Sequence, residues 1–490
     1  MKRDVLAVFL LIAAFLSTAA SSPWDPTPWL ADLGQIRVTI DRDYPNLDWL
    51  TEQREVSLDS WFKRTADNIR QSHSDADARR AMDGLIKRFN DGHLTLHWPI
   101  ATSSTGHAPA SLQSSTIATF CTNKGYDASR VTFGTAASLP GYRQIDVGGP
   151  FAAGIVNADG KNIGVVRLGA FSPQGYPSVC EQAVTKTRTP PEQPCDDLCS
   201  DHLLTEAFAV MTRSLITTIE RLRANSAQLL LIDLTRNGGG TEWAEAAARI
   251  ISPVPVRSAP TYVIRSEAWA TLWRARAAKL RLEARRASSA DRAMLLELAR
   301  YADATADDLK PCASAPCSRL AQAGYASGLL AEMPAGRISN KVWAPDIFSP
   351  AQFPYIDSVW NGPVIVLVDS ETWSAAEEFS ALLQDNGAAI VMGTRTGGAG
   401  CGHIDGNDPV TLTHSGAKLE MPNCARLRKD GSNEVGGIVP DVPTGVRWND
   451  GSTYAGHLTA AHLSEAIVKA EALHLRNRST HPEDPSERSN

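Results

Sequence analysis

Ser374 is the side chain best placed by its neighbours to act as a nucleophile. It follows the apolar run Val366-Leu367-Val368 and Asp369, and stands just before Ala375-Ala376-Glu377-Glu378-Phe379. A strand ending at Asp369 and a helix starting at about Ser374 put that hydroxyl at a helix N-terminus. Unpaired N–H groups and the helix dipole favour negative charge there. An ordinary N-cap serine fits the same position. A second segment, Leu231 to Gly240, ends in Gly238-Gly239-Gly240. Three glycines after a buried strand let the backbone approach a ligand with its N–H groups bare, which suits an oxyanion hole. No Gly-Lys-Ser/Thr follows, so this is not a Walker loop. The third segment, Glu434 to Asp441, reads alone as a turn between strands. Glu377, one turn into the helix, reads as a capping-box partner of the Ser374 backbone rather than as a catalyst.

The elements that must carry these residues follow from hydrophobic patterning. Leu229–Leu234 and Val364–Asp369 are apolar runs that suit strands buried on both faces, and Ala388–Met392 reads as a third. Residues 203–223 and Glu242–Ile251 have helical spacing. This strand and helix rhythm implies an α/β core. Residues Asp48 to Phe89, with Trp49, Trp61, Ile69, Met82, Leu85 and Phe89 among the apolar positions, read as a small helical domain. It closes on the turn Asn90-Asp91-Gly92-His93 and the strand-like Leu94–Trp98. Residues 101–160 are rich in Ser, Thr, Gly and Ala and read as a linker or small β-rich region. Residues 265–308 contain no Gly or Pro and predict one or two solvent-facing helices inserted into the body. A last helix is expected over 454–475, with a disordered polar tail after Asn477.

Composition narrows the function classes. The chain of 490 residues is 43% hydrophobic and 21% charged, a globular balance. Its net charge of −6, with no Lys/Arg stripe, argues against nucleic acid as a partner. Lys2, Arg3, the apolar run Val5–Leu16 and the small residues Ser17–Ala20 predict a signal peptide over residues 1–20. The run is short of the ~20 residues of a spanning helix, so no stable membrane insertion is expected after cleavage. The expected location is periplasmic or secreted. In that compartment the eight cysteines should pair. Cys312 with Cys317 and Cys401 with Cys424 are the favoured bridges; Cys121, Cys180, Cys195 and Cys199 allow three pairings. Cys195 and Cys199 have no second Cys/His pair at finger spacing, so no metal is expected.

Taken in order, the segments resemble the tail-specific (carboxyl-terminal processing) protease family, which includes the tricorn core and interphotoreceptor retinoid-binding protein. The glycine signature is similar at Ile232–Gly240, the nucleophile segment at Val366–Phe379 with Gln384–Gly387 and Gly393–Gly398, and the closing signature at Glu434–Asp441. Asp91-Gly92-His93 resembles a histidine signature of the tricorn-like branch. The resemblance implies a crotonase-like core over about 161–450, with a helical insertion at about 258–345. A helical N-terminal domain (21–100) would carry His93, and residues 451–490 would form a C-terminal helix and tail. No PDZ module is expected, because residues 101–160 are few for one.

Processing proteases of this family pair the serine with a lysine 25 positions on; here that position is Ala399. The tricorn-like branch uses a histidine instead, with a glutamate holding the arrangement. By motif these are His93 and Glu434, with His403 and His414 as other candidate bases. The serine that neighbours the histidine in that branch is replaced by Gly92, leaving Asp91 or Glu434 to orient the imidazole. The oxyanion hole would use the N–H of Ala375 and that of Gly238 or Gly239. The implied activity is an exported serine peptidase acting through an acyl-enzyme, without cofactor, on peptides or unfolded proteins; an oligomer is possible. The alternative is a non-catalytic ligand- or peptide-binding protein on the same scaffold. The Gly-x-Ser-x-Gly elbow of lipases is absent, since Ser374 is flanked by Thr372 and Ala376.

Overall fold

The computed structural model describes residues 24–99, 116–314, 316–405 and 408–480. The expected signal peptide and the tail beyond Thr480 lie outside the described residues. At the centre is a seven-stranded sheet. Its order in space is Val442–Pro443, Ile390–Gly393, Val364–Val368, Leu229–Asp233, Lys161–Arg167, Ala153–Ala158 and Arg143–Ile145. The first five run parallel, and the last two join through antiparallel pairings, so that Ala153–Ala158 alone runs in the opposite direction.

Every residue of Leu229–Asp233 and Val364–Val368 is buried, as their unbroken apolar runs predict. Strand periodicity then splits the side chains between two cores. Leu230, Ile232, Val364 and Val366 face one way, among the helices Pro177–Thr187, Asp197–Ala224, Trp243–Ile251 and Ala375–Asp385. Leu229, Leu231, Ile365 and Leu367 face the other, against Leu463, Ala466, Ile467 and Ala470 of the helix Leu463–Thr480. The architecture is α/β, with helices on both faces of a mainly parallel sheet. The last helix extends to Thr480, past the Asn477 at which a tail was expected.

Residues 143–158, inside the stretch read from sequence as a linker or small β-rich region, supply two strands of the central sheet. The N-terminal helices Thr27–Asp43, Leu58–Arg70 and Asp75–Phe89 form a separate core around Trp29, Ile36, Met82 and Phe89. Ser57 and Ser74 cap the second and third through their side chains. This core also takes in Leu412, Ala417, Leu419 and Met421, so the helical unit is closed by distant chain. The strand Thr95–His97 pairs antiparallel with Lys418–Glu420. That pairing ties the unit to the body and carries His93 with it.

The helical insertion is a hairpin of Glu267–Arg286 and Ser289–Asp308, capped by Ser266 and Ser288. Its helices are not wholly solvent-facing. Ala270, Trp273, Ala277, Leu280 and Ala284, at three- and four-residue steps, form a buried stripe that joins the main core. All eight cysteines are paired: Cys121–Cys180, Cys195–Cys199, Cys312–Cys317 and Cys401–Cys424. The two favoured bridges are present, and structure chooses among the three pairings left open. No helix among the described residues is long and apolar enough to cross a membrane.

Candidate active site

Three neighbouring parallel strands end on the same side of the sheet. After Asp233 comes the glycine loop, after Val368 the segment of Ser374, and after Gly393 the loop through Ala399. In such sheets the crevice beyond the carboxyl ends of the strands is the usual place for a ligand. Ser374 is the N-cap of Ala375–Asp385 and holds a positive φ of 54°. A non-glycine residue is held in such a backbone only when its surroundings over-determine it. Here the Trp373 N–H donates to the Asn237 carbonyl (2.9 Å), and the Ser374 N–H donates to Glu377 Oε2 (2.9 Å).

The ring at hydrogen-bond distance from Ser374 is that of His93, with Nε2 3.1 Å from Oγ, although the two residues are 281 positions apart. His93 Nδ1 lies 2.7 Å from the carbonyl oxygen of Ala399. A carbonyl only accepts, so Nδ1 carries the proton and Nε2 is left as acceptor for the serine hydroxyl. Ala399, standing where the family resemblance expects lysine, thus contributes its backbone. Lys418, the other lysine near this region, is exposed and lies in the strand paired with Thr95–His97.

Asp91 holds the backbone of His93 rather than its ring. Oδ1 accepts the His93 N–H (2.9 Å), and Oδ2 accepts from Tyr44 (2.9 Å) and Asn46 (3.1 Å). Burial raises the Asp91 carboxyl above its ordinary range, against those hydrogen bonds. Gly92 meets the loop before Ser374 so closely that a Cβ there would lie 2.8 Å from Trp373. No side chain fits beside the histidine at that position.

Glu434 does not take the expected place beside the imidazole. It is buried, and its Oε2 pairs with Arg426 Nε at 2.5 Å. Arg426 also reaches Glu378 (3.1 Å) and the Gly400 carbonyl (3.1 Å). A buried carboxylate needs a counter-charge more than a neutral ring can supply. The orienting acceptor is therefore the Ala399 carbonyl. His403 sits behind His93, edge to face at 5.7 Å, with its Nε2 3.4 Å from Glu420. His414 packs against Trp29 in the helical unit.

The glycine run also differs from expectation. The Gly239 N–H donates to Asn237 Oδ1 (2.8 Å) and is not available to a substrate. Gly239 is needed for another reason: its φ is 98°, and a Cβ there would meet Ser374 Cβ at 2.8 Å. Gly238 is exposed but does not line the cavity; Gly240 does, together with Ala375. Among the described residues the N–H groups of Gly240 and Ala375 have no partner.

Glu377 proves to be the hub of the loop. Oε1 accepts from Thr396 Oγ1 (2.5 Å) and the Gly398 N–H (2.8 Å); Oε2 accepts from the N–H groups of Ala399 (2.8 Å) and Ser374. Burial pushes its carboxyl up to about 7. The cavity over the site holds about 560 Å³. Its walls include His93, Ser374, Glu242 and Glu378, with Arg276, Tyr325 and Asp346 from the insertion. Sequence singled out Ser374, His93 and Ala375; it gave no signal for the Ala399 carbonyl, and only the Glu-Glu pair after Ser374 hinted at the charged wall.

Residues 202–444, holding both the glycine loop and the nucleophile segment, match the sequence model of peptidase family S41. The chain belongs to that family. Mature CPAF is similar in structure, at 14% identity and a TM-score of 0.56, covering 92% of this chain and 98% of that one. Mature CPAF complexed with lactacystin aligns at 14% identity and a TM-score of 0.57, covering 92% and 99%. At such identities the likeness is one of fold. No curated protein sequence matches the chain.

Proposed function

We propose that this family member is an exported serine peptidase that works through an acyl-enzyme on Ser374, with His93 as base. The observation that carries the reading is the His93 Nε2 to Ser374 Oγ hydrogen bond of 3.1 Å, made by a ring whose Nδ1 is committed to a carbonyl. In the first step Nε2 takes the hydroxyl proton while Oγ attacks the scissile carbonyl carbon. The N–H groups of Ala375 and Gly240 receive the developing oxyanion. His93 then gives its proton to the leaving amine, and the acyl group stays on Oγ. Water, deprotonated by the same ring, attacks the ester and restores the serine. The Ala399 carbonyl steadies the imidazolium by hydrogen bonding, in place of a carboxylate. Four disulfides suit an oxidising compartment, in keeping with export.

A fluorophosphonate probe tests the reading. Folded wild type should label, Ser374→Ala should not, and His93→Ala should label about 10²–10⁴-fold more slowly. Folded wild type that stays unlabelled would leave a binding protein on this scaffold.

A further inference from the structure

The wall of the cavity one helical turn from the nucleophile holds more negative than positive charge. Glu378 lies four residues after Ser374 on the same helix, hence on the same face. It is 8% exposed and lines both the active-site cavity and a smaller one beside it. One of its oxygens bonds Arg426 at 3.1 Å; the other, Oε1, is buried without a partner among the described residues. Arg426 is shared with Glu434 at 2.5 Å, and the neighbouring Glu245 is matched by its own ion pair with Arg249. Three buried carboxylates thus face two guanidinium groups. The side chain of Glu242, at the rim of the same cavity, makes no ion pair or hydrogen bond among the described residues. The remaining acids of the wall are matched: Asp346 by Lys279 at 2.7 Å, and Asp405 by Arg276.

We propose, resting on the peptidase reading above, that this cavity takes a lysine or arginine side chain of the substrate residue whose carbonyl Ser374 attacks. Glu378 is its buried counter-ion, and Glu242 meets it at the rim. A buried carboxylate with an unused oxygen is costly, and a cationic donor satisfies both the charge and the lone pairs. The distance suits it, since one helical turn is ~5.4 Å and a lysine stem spans about as much. Burial drives the Glu378 carboxyl well above its usual range, a cost to the charged form that a bound cation offsets.

Two N-terminally blocked fluorogenic peptides, alike except for lysine or norleucine before the scissile bond, test the proposal. Wild type should favour lysine in kcat/KM by about tenfold or more, the worth of one charge-assisted contact. In Glu378→Gln the lysine-to-norleucine ratio should fall to within about twofold. The ratio cancels any general damage to the fold. Glu242→Gln should lower it by about threefold, which keeps the test open if the first variant fails to fold. Peptides with a free amine in place of the lysine side chain separate recognition of an N-terminus from that of a side chain; tighter use of these overturns the proposal. Cleavage of the norleucine peptide with no preference for lysine also overturns it and leaves the peptidase reading standing. Failure to cleave either peptide, with no labelling of Ser374, brings down both.

Discussion

Glu377→Gln keeps the size of the side chain and removes acceptor capacity from the point where four donors converge. Oε1 receives the Thr396 hydroxyl and the Gly398 N–H; Oε2 receives the N–H groups of Ser374 and Ala399. The amide NH2 must replace one oxygen. Turned toward Thr396 it lets the hydroxyl rotate and accept, but it strands the Gly398 N–H. Turned toward Ser374 it strands two amides. Each buried orphan costs about 1–3 kcal/mol, so the better orientation destabilises the protein by about that much. The same carboxyl holds the loop that sets the Ala399 carbonyl against His93, and holds the backbone of Ser374. If about 2 kcal/mol of that strain reaches the transition state, kcat falls about 30-fold. The pH dependence gives a separate sign. The wild-type carboxyl rises from 4.5 to about 7 on folding. Its favourable contribution is therefore full below 4.5 and is lost as pH climbs through 7, by about 3 kcal/mol. Glutamine has no such loss. The stability gap should be widest near pH 5 and should narrow toward pH 8. Urea unfolding at both pH values, in variants that also carry Ser374→Ala to prevent autolysis, measures the gap; kcat on a peptide ester measures the rest. A gap that widens with pH, or a variant with unchanged midpoint and kcat, would refute the reasoning.

Gly239→Ala drives a Cβ to 2.8 Å from the Ser374 Cβ at a φ of 98°, and should abolish probe labelling while far-ultraviolet circular dichroism is retained. Arg426→Met leaves Glu434 and Glu378 buried without their cation; a loss of about 3–5 kcal/mol is expected in urea midpoints at pH 8. Replacing both Cys401 and Cys424 by Ser frees a loop of 23 residues that carries Gly402 and adjoins Ala399. About 3 kcal/mol of stability and most of kcat should go, as denaturant titration and peptide turnover would show. Tyr44→Phe removes one of three donors to Asp91 and should cost about 1.5–3 kcal/mol, with a smaller fall in kcat because the His93 N–H keeps its acceptor.

The sequence alone determined what depends on short-range pattern. Short unbroken apolar runs suit strands buried on both faces, which is why Leu229–Asp233 and Val364–Val368 were legible. A serine between such a strand and a helix, and three glycines after its neighbour, announce bare amides and an exposed hydroxyl without any knowledge of the rest. The family resemblance likewise implied that Ala399 removes the lysine route. Tertiary structure alone decided which groups meet. His93 reaches Ser374 across 281 residues because Thr95–His97 pairs with Lys418–Glu420, a register that no local pattern encodes. The acceptor that fixes its tautomer is a backbone carbonyl, and every residue has one, so no side chain in the sequence marks Ala399. The Gly239 amide was lost to Asn237, and Glu434 to Arg426, because buried donors and charges take the strongest partner within reach, and reach exists only in three dimensions.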